Sequence, residues 1–114
     1  MPWNPARPAA PPVSPDPGIE MRFADDGVIV LELLGTLDRD TGRALEQAAM
    51  AVAVSDGTTR MDIDLRRLEG YTPEGADALV ACRAHCAGLP GGLHYRTGRG
   101  PGREALLAAY SRQQ

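Results

Sequence analysis

Four groups of residues in this chain have the types and spacing that chemistry requires. Asp62 and Asp64 are paired carboxylates, Cys82, His85 and Cys86 place candidate metal ligands within one helical turn, Gly98, Gly100 and Gly102 alternate before a helix, and Tyr71-Thr72-Pro73-Glu74-Gly75 opens another helix. Paired acids could exchange protons with a substrate, yet two acids alone make no catalytic site without a nucleophile, a metal or a convergent pocket. No serine stands with a histidine and an acid in a nucleophile motif, so no catalytic residue is assigned. A structural zinc ion normally takes four ligands, and the other histidine, His94, falls in or before a strand. Small buried side chains explain the cysteines better, and no metal is expected. The glycine run lacks the lysine and hydroxyl of a phosphate loop, and a flexible strand-to-helix connection accounts for it. No cofactor is expected.

Composition narrows the function further. At 114 residues the chain fits one small domain. With aromatics at 4%, the core must be filled by Leu, Val, Ile and Ala, and no aromatic platform for bases or sugars is available. A net charge of -3 and a pI near 5.3 argue against nucleic-acid binding, which needs a basic face. Every basic residue is arginine, which reads as coding bias, although Arg96, Arg99 and Arg103 cluster late enough to leave room for a small anionic contact. Two cysteines in one helix exclude a disulfide framework. There is no apolar run near the ~20 residues of a membrane span and no signal-peptide core, so a soluble cytoplasmic protein is expected.

The elements that must position these residues follow from local pattern. Seven prolines between Pro2 and Pro17 predict a disordered Pro-rich tail over 1–18, followed by a domain over 19–114. Ile19 to Phe23 and Val28 to Leu34 predict an N-terminal β-hairpin about the turn Ala24-Asp25-Asp26-Gly27. Asp38 or Asp40 can cap a helix running to about Val54, with Ala44, Leu45, Ala48, Ala49 and Val52 inward. Met61 to Leu65 alternates apolar and acidic residues, predicting a strand with Asp62 and Asp64 on a wet face, where Asp64 can tie down the next loop. A helix of about Glu74 to Ala87 turns Ala76, Leu79, Val80 and Cys86 inward, and a strand over Leu93 to Arg96 and a helix over Arg103 to Tyr110 close the chain. Strands alternating with helices predict an α/β fold: a mixed β-sheet of about four strands with helices packed on one face.

The loop before the second helix has good cap chemistry. Thr72 can accept from first-turn amides, Pro73 suits the first helical position, and Glu74 sets a negative charge at the positive end of the dipole.

The order of elements and the residues at their junctions resemble a STAS domain, the fold of bacterial anti-sigma-factor antagonists. Gly35-Thr36-Leu37-Asp38 is similar to the family's G-x-L-D, Asp64-Leu65 to its D-L, Gly91-Gly92-Leu93 to its strand entry, and Arg103 with Leu106 and Leu107 to its late helix. The resemblance implies a non-catalytic module, not an enzyme, that binds an anti-sigma factor or ATPase-like serine kinase in transcription regulation. It implies partner contacts at Thr36, Asp38, Tyr71, Thr72, Pro73, Glu74 and Gly75. The family's switch is a D-S-S-G or D-S-T-G loop, which in ungapped register falls on Thr72, Pro73, Glu74 and Gly75. The glycine is kept, but the phosphoacceptor positions are Pro73 and Glu74, so the resemblance implies no phosphorylation switch. Glu74 brings a permanent charge, where a phosphoserine would bring about -1.5 to -2. Alternatives within the same resemblance are an accessory subunit of a transporter ATPase and a small-ligand-binding STAS domain. A homodimer or a partner strand would cover the sheet edge.

Overall fold

The computed structural model describes residues 18–113, so the expected Pro-rich tail, apart from Gly18, lies outside the described residues. Strands β1 (Ile19–Phe23) and β2 (Val28–Leu33) form the expected hairpin, with Ile19 opposite Leu33 and Phe23 opposite Ile29. β3 (Gly35–Leu37) leads into α1 (Arg39–Ala53), and β4 (Arg60–Asp64) then lies parallel to β2. β5 (Leu68–Tyr71) leads into α2 (Pro73–His85), and β6 (Leu93–Arg96) lies parallel to β4 before α3 (Pro101–Arg112). The main sheet is a mixed four-stranded one in the order β1-β2-β4-β6, with β3 and β5 forming a separate parallel pair.

Alternation along the strands supplies the core. Leu31, Leu33, Met61 and Ile63 are fully buried, in one cluster with Leu45 and Ala49 of α1, Ala76, Leu79 and Cys82 of α2, and Ala105 and Ala109 of α3. Burying each large aliphatic side chain contributes about 1.5–3 kcal/mol, and the alanines let the helices lie close. Tyr95 reaches the same layer and donates its hydroxyl to the Leu79 carbonyl at 2.5 Å. Arg112 holds Asp77 at 2.9 Å and Arg83 donates to the Tyr110 hydroxyl at 2.6 Å, pinning α3 to α2.

The cysteines belong to this core. Both are free and buried, and burial pushes the Cys82 thiol up to about 12. The histidines point to other partners, His85 to Glu46 at 3.3 Å and His94 to the Gly91 carbonyl at 3.1 Å. Among the described residues no group of three His, Cys, Asp or Glu side chains is placed to hold a metal ion. Nor is any described helix long and apolar enough to cross a membrane.

Several expectations need correction. Asp62 and Asp64 do not sit on a wet face: each is 1% exposed, because arginines close over them. Arg60 grips Asp62 with Nε at 2.8 Å and Nη2 at 3.1 Å, and Arg96 reaches it from the neighbouring strand at 3.0 Å. Arg66 grips Asp64 with Nε at 3.0 Å and Nη2 at 2.8 Å. Its backbone amide also donates to Asp64 at 3.1 Å, so Asp64 does tie down the following loop. The Arg66 fork holds the Asp64 carboxyl below its usual range. The inward face of α2 carries Ala78 and Cys82 as well as Ala76 and Leu79, and Val80, half-buried, packs against the same core as expected. α3 begins at Pro101 instead of Arg103, since proline fits the first helical turn. Gly35 to Leu37 and the segment after Leu65 are strands, not plain connections.

Candidate functional site

The β3–β5 pair sets the geometry of one end of the molecule. Thr36 lies beside Gly70 and Leu37 beside Tyr71, and the Thr72 amide donates to the Leu37 carbonyl at 3.0 Å. Each strand runs directly into a helix, so the first turns of α1 and α2 emerge side by side.

Both starts are capped by side chains. The Thr41 amide donates to Asp38 Oδ1 at 2.9 Å, and the Gly75 amide donates to Thr72 Oγ1 at 3.1 Å. Asp38 is therefore the cap of α1, with Asp40 inside its first turn. Donation from Thr41 holds the Asp38 carboxyl below its usual range. Each cap occupies an otherwise unpaired first-turn amide, a contribution of about 1 kcal/mol for the uncharged Thr72.

Gly75 fixes how close the two starts come. A Cβ there would stand 2.1 Å from the Leu37 carbonyl oxygen and 2.7 Å from that of Asp38, so only glycine fits. Across the contact, Gly42 of α1 faces the Gly75 backbone and Ala78, where a Cβ would meet atoms at 3.1 Å. Two glycines thus bring the helix starts together.

The result is a shallow open groove of about 430 Å³ lined by Asp38, Arg39, Asp40, Thr72 and Glu74. Three carboxylates stand near the positive ends of two helix dipoles, with one guanidinium among them. The lining offers charged acceptors and a single cationic donor, which is the chemistry of recognition.

Of the residues singled out from the sequence, Asp38, Thr72 and Glu74 line this groove. Pro73 is exposed at the first turn of α2, and Thr36 is exposed on β3 beyond the lining. Tyr71 is half-buried against the core, and Gly75 is buried, so its contribution is fit and not contact. Arg39 was not anticipated, nor Asp40 as part of the lining. Their signal was their place in the first turn after the Asp38 cap, which points outward at the level of Thr72 and Glu74.

No protein-family model and no curated protein sequence matches the chain. Among solved structures, an anti-sigma factor antagonist from Mycobacterium paratuberculosis is 30% identical, with a TM-score of 0.60, covering 89% of this chain and 86% of that one. The anti-sigma factor antagonist SpoIIAA in its unphosphorylated form has a TM-score of 0.63 at 12% identity, covering 78% of this chain and 81% of that one. The Bacillus cell fate determinant SpoIIAA in its phosphorylated form gives 0.61 at 12% identity, covering 78% and 79%. The two SpoIIAA structures share the fold.

Proposed function

The chain belongs to the STAS-domain family of anti-sigma factor antagonists, and from that premise we propose that it is a non-catalytic interaction module that docks on an anti-sigma factor of the serine-kinase type and so regulates transcription. The folded module in this reading is residues 19–114, acting in the cytoplasm, with the Pro-rich segment 1–18 outside it.

The observation that carries the reading is the β3–β5 pairing. It unites Asp38 with Thr72 and Glu74 in one exposed groove, which supports reading this loop as the docking surface. The same loop lacks the acceptor chemistry of a switch. Proline at position 73 has no hydroxyl, position 74 already carries a carboxylate, and the Thr72 oxygen is held by the Gly75 amide. Thr72 keeps a hydroxyl, but in the family register it falls on the aspartate position and not on either phosphoacceptor position. The partner is therefore bound without phosphorylation of residues 71–75.

Incubation with ATP and the kinase-type anti-sigma factors of the source cell, followed by mapping of phosphate by mass spectrometry, tests this. No phosphate is expected between Tyr71 and Gly75; stoichiometric modification of Thr72 would overturn the reading.

A further inference from the structure

The sheet face turned away from the helices is built as two charged layers. Cross-strand rows Glu20–Glu32–Asp64–Arg96 and Arg22–Val30–Asp62–His94 lie on it. The carboxylates form the lower layer: the side chains of Asp62, Asp64 and Glu32 are 2%, 1% and 12% exposed. Guanidiniums form the upper layer, with Arg22, Arg66, Arg67 and Arg96 each about half exposed or more, at 53%, 54%, 67% and 45%. Val30 is only 3% exposed between them, so this face is packed although no described helix covers it.

The donors are not all used. Arg60 and Arg66 spend a full fork on their own carboxylates. Arg96 uses a single N–H. Arg22 approaches Asp64 only to 3.9 Å and Arg67 approaches Glu32 only to 3.8 Å, beyond hydrogen-bonding distance. Among the described residues, then, two complete guanidinium forks and most of a third are left without a hydrogen-bond acceptor while about half or more of each side chain is exposed. The buried acids beneath hold them in place.

We propose that this face is a second docking surface, which binds an acidic protein segment through fork-to-carboxylate contacts made by Arg22, Arg67 and Arg96. Arg22 on β1 and Arg96 on β6 are three inter-strand gaps apart, about 14 Å at about 4.8 Å each, so the segment lies across the strands. Carboxylates match the planar fork and take two parallel N–H bonds. A nucleic acid is a poorer fit. The five arginines of this face, Arg22, Arg60, Arg66, Arg67 and Arg96, are nearly balanced by Glu20, Glu32, Asp62 and Asp64, and the chain carries a net charge of -3. Nucleic-acid affinity grows with the number of phosphates neutralised, and this face has no such excess. Attraction here is short-range and specific to partners whose carboxylates reach the forks.

The test uses the full chain, labelled with nitrogen-15, titrated with a peptide of eight glutamates while amide and arginine Nε–Hε resonances are followed. Saturable shifts are expected around Arg22, Arg67 and Arg96. The Arg22→Gln, Arg67→Gln double variant, which removes no hydrogen bond of the fold, should bind at least about tenfold more weakly with an otherwise native spectrum. Glu74→Gln, in the separate groove, should bind the peptide as the unaltered chain does. The proposal is overturned if millimolar peptide shifts no resonance on this face, if the double variant binds equally well, or if an eight-glutamine peptide or a single-stranded oligonucleotide binds as tightly.

Discussion

The two helices that open onto the groove begin by different chemistry. α1 starts on a carboxylate, Asp38, whose hold on the Thr41 amide is strengthened by charge. α2 starts on a hydroxyl, Thr72, followed by a proline, and its position is locked by Gly75 against the Leu37 and Asp38 carbonyls. One start is secured by electrostatics and the other by fit. The first should yield to acid and the second to any added atom, although both expose side chains to the same groove.

Gly75→Ala should break the contrast most severely. Its Cβ would collide with backbone, which cannot move aside as a flexible side chain can. A loss of about 3 kcal/mol or more is expected in urea unfolding, and a native midpoint would show that the starts are less tightly joined. Thr72→Ala should cost about 1 kcal/mol, with Thr72→Ser close to the unaltered chain, because only the cap oxygen matters.

Acid separates the two caps. The Asp38 carboxyl lies below its ordinary value of 3.8, so its contribution to stability is complete above that value and is lost as the pH falls through the lower folded value. The Thr41 amide resonance should titrate with a midpoint below 3.8, and Asp38→Asn should abolish that titration while keeping a cap. The Gly75 amide, held by a hydroxyl that does not ionise there, should move far less. Equal movement of both amides would erase the distinction. The smallest effect is expected from Pro73→Ser, at an exposed first-turn position, with a stability change within about 0.5 kcal/mol by thermal unfolding.

Much of this arrangement is legible in the sequence, and the exceptions have physical causes. The hairpin, α1 and the Thr72-Pro73 helix start are written in local signals of alternation, capping and proline placement, and they appear where those signals put them. β3 and β5 are three and four residues long and contain Gly35 and Gly70, too short and too glycine-bearing for a period of two to register. They exist because they pair with each other, which no local window contains. The burial of Asp62 and Asp64 was hidden by the same limit, since Arg96 comes from another strand. Half of it was nevertheless visible: Arg60, Asp62, Asp64 and Arg66 alternate along one segment, acids flanked by arginines at strand spacing. Gly75 could be matched to a family position from sequence, but its reason, the approach of a carbonyl from β3, is a tertiary fact. The groove itself needed both short strands in place.

Docking at this groove is tested most directly by pulling down an anti-sigma factor with the chain and measuring its affinity by calorimetry for the unaltered protein, Glu74→Arg and Asp40→Arg. Both side chains line the groove and neither is a cap, so each variant should still fold, losing about 1 kcal/mol from the reversed charge at a helix N-terminus. Each reversal of charge is expected to weaken binding about tenfold, which corresponds to about 1.4 kcal/mol. Unchanged affinity in both variants would contradict docking at the paired helix starts.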